Sequence, residues 1–372
     1  MKKVVLFLVL LVIVLAAFVR IRYGGGDPYP NLTSSPVVAA DQLQEVLAYR
    51  EPIGNVAVSG SGRVFFTVHP EARPQGNKLL HHVDGASIPF PDSQSQSELF
   101  DTVLGVVIDR QNRLWTIDHG YHGLRPARLL AFDIETGEVV HDRFFSELIA
   151  PTGSFLQDLQ VSPDGRTVVI ADASVWRKSP ALIVYNVDTS TARRVLEGHE
   201  SVSAESYVIR NHGEEMNFFG NLATLRAGVD GIAINDEWLY FGALNGSGLH
   251  RVDLATLVDP NSSNTDIVAA VERYSDKPLS DGFSIDTAGN VYITDVEHGA
   301  VIRVGANQGL DTLLRSRSIR WPDALSFGPD GWLYIADSAL RDVILQSPEH
   351  IKSQGPYRIF RVQTNAEGTP GQ

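Results

Sequence analysis

The chain reads as an all-β protein, a six-bladed β-propeller preceded by an N-terminal apolar helix, and three observations predict this. The first is repetition: an apolar run, a turn and a second apolar run occur six times. The copies are GNVAVSGSGRVFFTV from Gly54, LGVVIDRQNRLWTID from Leu104, LQDLQVSPDGRTVVIAD from Leu156, VDGIAINDEWLYFGAL from Val229, SDGFSIDTAGNVYITD from Ser280 and PDALSFGPDGWLYIAD from Pro322. Their starts lie 50, 52, 73, 51 and 42 residues apart, about the length of one four-stranded blade. The second is the pattern inside each copy, where alternating aliphatic and aromatic positions flank a Gly-, Asn- or Asp-bearing turn and so predict an antiparallel hairpin. The third is composition. Gly accounts for 32 of 372 residues and charged residues for only 20%, with no long stretch rich in Ala, Glu and Lys. Closed β folds run past ~250 residues as one unit, so residues 42–364 are expected to form a single domain.

From the N-terminus onward, residues 1–23 hold 16 consecutive apolar residues, Val4 to Val19, between Lys2 and Lys3 on one side and Arg20 and Arg22 on the other. As a helix this run is about 24 Å long, short of a ~30 Å hydrocarbon layer unless the arginines snorkel. A cleaved signal peptide has the same basic start and short apolar core, but arginines just beyond Ala16 favour an uncleaved signal anchor. A lone N-terminal anchor usually exports the domain behind it, so the propeller is expected to be periplasmic or extracellular, held by one transmembrane helix. Residues 24–41, beginning GGGDPYPNLTSSP, predict a flexible tether. Leu43 to Arg50 predict a strand beside YRIFRVQT from Tyr357, because pairing strands from the two termini closes the ring and removes two exposed edges. Residues 365–372 are expected to be a disordered tail. Two intervals exceed hairpin length, His199 to Gly228 and Ser338 to Pro356, the second with room for a short helix; each is either a solvated decoration or a lid over the channel.

Charge and composition exclude several classes. Apart from the four basic residues of the N-terminal segment, 27 basic residues face 44 acidic ones. Such a body is repelled by nucleic acid and by anionic lipid headgroups, and suits small neutral or cationic ligands or metal ions. The chain has no cysteine, hence no disulfide, thiol nucleophile or thiolate metal site. It also lacks a phosphate-binding Gly-rich loop and the HExxH and GxSxG motifs.

Beyond periodicity, the wording of the repeats resembles the major royal jelly protein/yellow family. The resemblance is carried by LWTIDHG at Leu114 to Gly120, ARLLAFDIETGEVV from Ala127, LQDLQVS from Leu156 and GVDGIAINDEWLYFGALNGSGLHRVDLATL from Gly228. SDGFSIDTAGNVYITD and WPDALSFGPDGWLYIADS come next, in the family's order. It spans about Ile53 to Val362 and implies a six-bladed propeller, in a family whose insect members include dopachrome-converting enzymes. His119 departs from the family's usual threonine. A looser similarity reaches the regucalcin/gluconolactonase family, which implies a divalent metal and lactone hydrolysis.

Aligning the six copies on their turns places Gly54, Leu104, Gln157, Asp230, Asp281 and Asp323 in one ring at the channel mouth, with Asn55 and Asp158 one position further in. Carboxylates converging there suit a hard cation such as calcium, an amine, or acid–base work if crowding separates their pKa values. An Asp before Gly also commonly accepts hydrogen bonds from turn amides with no chemistry attached. The lactonase resemblance implies metal ligands at Asp230 and Asp281, but Gly54 stands where that family carries a Glu. His119 and His122, beside Asp118 and Tyr121, suit a general base or a metal ligand, or simply turn hydrogen bonds. His212, Glu214 and Glu215 reach the mouth only if their interval folds inward. The tryptophans read as inter-blade packing, with Trp321 the one placed to line the entrance. The function expected is an exported, membrane-tethered propeller that binds a small molecule at the channel mouth through Asn55, Asp158, Asp230, Asp281 and Asp323, with tautomerase-like chemistry. The alternative is a metal-dependent lactone hydrolase.

Overall fold

Each repeat supplies the two inner strands of a four-stranded antiparallel blade, and six blades surround one axis. The computed structural model describes all 372 residues. Blade 1 runs Ile53–Val58, Val64–Val68, Leu79–Val83 and Ala86–Pro89 outward from the axis. The inner strands of blades 2 to 5 are Val103–Ile108, Leu156–Val161, Val229–Ile234 and Phe283–Ile285. Blade 6 is Pro322–Phe327, Trp332–Asp337 and Tyr357–Gln363, completed by Gln44–Tyr49 from the start of the propeller. That closing strand pairs antiparallel with Tyr357–Gln363, Leu47 opposite Ile359 and Tyr49 opposite Tyr357. No blade is left open.

The strands form because their residues are buried on both faces. In Ile53–Val58, Val103–Ile108, Val229–Ile234 and Pro322–Phe327 every residue is buried, which is why they read as near-continuous apolar runs. Neighbouring blades interlock through large side chains. Trp115 of blade 2, for example, packs with Leu159, Val168 and Tyr185 of blade 3.

Several expectations need correction. Residues 24–41 are not a free tether. Asp27 and Pro28 pair in parallel with Tyr207 and Val208, Tyr29 packs edge-on against Tyr207, and the amides of Val37 and Val38 donate to Thr312 and Leu313. The outermost strand of blade 5 would otherwise expose its edge, and this segment covers it. Nor is the tail disordered. Gly371 accepts from the Ile108 amide and donates to the Phe327 carbonyl, while the Gln372 carbonyl accepts from Phe327 and from Ser284 Oγ. These groups belong to the inner strands of blades 2, 5 and 6, and the tail satisfies them at the end of the channel opposite the mouth. Two short helices, Leu254–Val258 and Asn264–Ala270, link the outer strands of blade 4, the second fixed by a capping box between Ser263 and Asp266.

At the N-terminus a single helix spans Lys2–Tyr23, with no buried residue and an 18-residue stretch of mean hydropathy 3.2. Its 22 residues make about 33 Å, long and apolar enough to cross a membrane.

Ring closure generates a test. Leu47 is 5% exposed and packs with Ile359 in the largest core cluster, whereas Glu45 meets Arg358 at 2.8 Å in an exposed pair. Leu47→Ala should cost about 2–4 kcal/mol in denaturant unfolding, and Glu45→Ala under about 1 kcal/mol.

Candidate functional site

The mouth is built by a repeated irregularity. At the start of the inner strand in blades 1, 2, 3, 4 and 6 the register with the second strand slips, between Ile53 and Val56, Val103 and Gly105, Leu156 and Asp158, Val229 and Ile232, and Pro322 and Ala324. Such bulges re-aim side chains. Here they turn Gln157, Asp230 and Asp323 toward the axis; in blade 5, Asp281 reaches the same level with its amide on Thr294 Oγ1 at 3.0 Å. The glycine after two of these aspartates has a steric reason. A Cβ on Gly231 would lie 2.5 Å from the Asp281 carbonyl oxygen, and one on Gly282 2.5 Å from that of Asp323. Only glycine lets adjacent inner strands approach so closely.

The predicted ring therefore assembles. Gln157 Nε2 donates across the channel to Asp281 Oδ1 at 3.1 Å, and Trp321 Nε1 donates to Asp281 Oδ2 at 2.6 Å. Trp321 is fully buried, so it holds Asp281 rather than lining the entrance. Asn55 and Asp158 form the deeper level, beside Gln160, Phe283 and the tail. Asp158 Oδ1 accepts from the Leu159 amide at 2.9 Å.

Crowding sets the protonation. Asp230 and Asp323 are each 4% exposed or less, and burial followed by the charge of Asp281 pushes both carboxyls well above the usual range. Asp281 rises only to about 6, because burial is opposed by the hydrogen bonds from Trp321, Asp230 and Gln157. The set as a whole therefore holds its protons above the usual carboxylate range, with Asp281 raised least. Burial lifts Asp158 to about 7. Lys277, fully buried behind the ring and donating to Ser280 Oγ at 2.8 Å, is lowered by burial to about 7.

These residues do not make a cation site. No group of three or more His, Asp or Glu residues is arranged to hold a metal ion. Both oxygens of Asp281 already accept hydrogen bonds, and blade 1 offers Gly54. A calcium ion takes six to eight oxygens; the buried side-chain oxygens left without a partner here are Asp230 Oδ2, Asp323 Oδ2 and Gln157 Oε1, fewer than such an ion takes.

A more open layer lies above. A cavity of about 110 Å³, with largely apolar walls, opens at the mouth; His69 and Gln157 are at its base, and Glu71, His122 and Phe155 stand in its wall. Asp230, Asp281 and Asp323 lie behind that base. The interval from His199 to Gly228 folds inward as small hairpins, and Phe218 and Leu225 cover one side of the cavity; Leu340 and Ile344 cover another. His212 instead lines a separate arginine-rich groove, and Glu214 and Glu215 face solvent.

His69 and Glu71 carry no signal in the repeat pattern that singles them out, yet His69 comes directly after the second strand of blade 1 as His119 does after that of blade 2. His119 Nδ1 accepts from the His122 amide at 2.9 Å, and Tyr121 and His122 take left-handed backbone conformations. The pair thus makes the turn hydrogen bond, and the turn has a further effect. It presents His122 Nε2 to Glu71 Oε1 at 2.9 Å, leaving Nδ1 of His122 buried without a partner. Burial works against the Glu71 carboxylate, but the hydrogen bond from His122 and the nearby Arg73 outweigh it and hold the group below its ordinary value. His69 accepts from the Glu71 amide through Nδ1 at 3.1 Å and turns Nε2 toward Asp323 at 3.7 Å; burial lowers it to about 4.

The raised carboxyl of Asp158 gives a signed pH dependence. Folding tightens its hold on a proton, so the stability it confers is present below about pH 4 and is lost as pH rises through about 7. Asp158→Asn stays neutral. Its melting temperature relative to wild type should therefore climb between pH 4 and pH 8, by the equivalent of on the order of 1 kcal/mol or more; a flat difference would remove the assignment.

Solved structures similar to this chain include a luciferin-regenerating enzyme (12% identity, TM-score 0.57, covering 88% of this chain and 97% of that one). A calcium-binding regucalcin from Agrobacterium tumefaciens aligns at 13% identity and TM-score 0.58, covering 90% and 97%. A gluconolactonase from Xanthomonas campestris aligns at 14% and 0.54, covering 91% and 97%. At these identities the likeness concerns the fold alone. No curated protein sequence matches the chain significantly. The sequence profile described as "Major royal jelly protein" matches residues 101–325, from blade 2 into the inner strand of blade 6. With the propeller complete around that segment, the chain belongs to the major royal jelly protein family.

Proposed function

We propose that this protein is a membrane-tethered propeller, outside the cytoplasm, that binds a small, mainly apolar molecule at the channel mouth and moves a proton on it. The observation that carries this reading is His122. Its Nδ1 lone pair is buried, unpaired and set in the wall of an apolar cavity, while Nε2–H is fixed on an ionised Glu71. A base oriented by a carboxylate in a cavity is the arrangement general-base chemistry needs. Buried polar atoms are rarely left unpaired; Gln157 Oε1, at the base of the same cavity, is unpaired too, and a ligand with a donor group would satisfy it.

In this reading His122 takes a proton from one atom of the ligand and returns it to another. The ligand is isomerised, no oxidant or reductant is consumed, and the enzyme ends as it began. The carboxyl ring below keeps Gln157 and His69 in place and is a positioning device. Tautomerase-like conversion of an aromatic metabolite is the reaction class this supports. Metal-dependent lactone hydrolysis has less support, because the donor set at Asp230 and Asp281 does not suit a cation.

Two measurements test it. A thermal-stabilisation screen of the detergent-solubilised full chain with catechols, aromatic amines, keto–enol aromatics, and lactones with and without Ca²⁺ should find binders in the aromatic classes. For such a binder His122→Leu should reduce turnover about 10²–10⁴-fold at temperatures where it stays folded, with a lower melting temperature because Glu71 loses its partner. Stabilisation by lactones and Ca²⁺ alone, unchanged in His122→Leu, would reverse the assignment. The tether has its own check: the intact chain should stay with membranes through high-salt and carbonate washes, since buried apolar area is insensitive to salt. A mature N-terminus just after Ala16 would make the protein a soluble export instead.

A further inference from the structure

The apolar helix does not leave the propeller at an arbitrary point. Its last turn is fastened to the mouth. Arg22 Nη2 donates to the Arg177 carbonyl at 3.2 Å, Tyr23 Oη to the Trp176 carbonyl at 3.1 Å, and Thr224 Oγ1 to the Tyr23 carbonyl at 3.2 Å; Arg226 holds the Gly25 carbonyl. Tyr23 is itself part of the cavity wall. A helix long enough to cross a bilayer therefore ends at the rim of the cavity.

That rim carries exposed apolar side chains. Leu124 is 76% exposed, Leu148 86%, Trp176 51%, Phe219 66% and Leu345 53%. All five sit in mouth-end loops, contributed by blades 2, 3 and 6 and by the interval between blades 3 and 4. Exposed apolar groups concentrated on one face mark a contact surface, and Trp beside Arg and Lys is the composition of a membrane–water boundary. The same face carries a groove of about 1120 Å³ whose wall includes Arg315 and Arg317 beside Arg210 and Arg320, the latter two paired with Glu215 and Asp337, although the body outside the helix is strongly acidic. Arginines at headgroup depth suit lipid phosphates.

We propose that the mouth face lies on the bilayer that holds the helix, with Trp176, Phe219 and Leu345 in the acyl boundary and the arginine groove at headgroup level. The cavity then opens into lipid rather than water, and its ligand class is a membrane-partitioned amphiphile or aromatic. The proposal rests on the tether reading above and goes beyond it, since a tether alone leaves the propeller free to hang in water.

The test uses the full-length chain in phosphatidylcholine vesicles whose acyl chains are brominated near the glycerol end. Bromine quenches tryptophan on contact. Trp115 and Trp321 are buried, and Trp238 and Trp332 begin second strands at the end opposite the mouth. Trp176 should therefore account for the quenching, which should fall in Trp176→Phe to the level seen without bromine. The double variant Phe219→Asp, Leu345→Asp should stay in the membrane through carbonate washing yet lose most of the quenching. Quenching that persists in Trp176→Phe, or is absent in a wild-type chain that resists carbonate, overturns the docked face while leaving the tether intact. A chain that washes off overturns both.

Discussion

Six inner strands share one axis, and the room they leave there governs the rest of the molecule. Where Gly231 and Gly282 pass the carbonyls of the next blade there is no space for a methyl group. Side chains that the strand-start bulges turn inward meet in a volume too small to hydrate several charges. The carboxyls respond by retaining protons, with Asp281 raised least because Trp321 and Gln157 donate to it. The axis is thus packed and proton-rich, and a ligand has space only above it, where the intervals between strands enclose a cavity.

The division between axis and cavity explains how much the sequence disclosed. The blades were legible because each is a local hairpin with its own turn, and the ring was legible because its members hold one position in successive repeats. Gly54, Gln157, Asp230, Asp281 and Asp323 could be aligned without knowing how the blades pack. The Glu71–His122 pair could not. It forms across two blades, from loops 51 residues apart, through a left-handed turn that no repeat pattern encodes. Phe218, Leu225 and Leu340 cover the cavity from non-repeating intervals, so periodicity carried no information about them. The cation expectation had a different weakness: co-location of carboxylates is readable from repeats, but whether their oxygens are already engaged is not.

The docked N-terminal segment and the docked tail share a physical logic that composition conceals. GGGDPYPNLTSSP and NAEGTPGQ read as flexible because they are poor in apolar residues, yet each lies against backbone groups a propeller would otherwise leave unpaired. Val37 and Val38 cover an outer edge; Gly371 and Gln372 bridge the ends of three inner strands. Segments of this kind are ordered by the groups they satisfy more than by the area they bury.

The strand that closes blade 6 begins only about twenty residues after the apolar helix ends, and its partner Arg358 lies 313 residues beyond Glu45. During synthesis the N-terminal segment therefore emerges long before the residues it must pair with exist. Until Tyr357–Gln363 emerges, the ring has an open edge on each side. Closing it brings together chain ends separated by nearly the whole polypeptide, a step whose entropic cost grows slowly with length but whose contacts arrive last. The last blade therefore closes on a strand that has waited since the beginning of the chain.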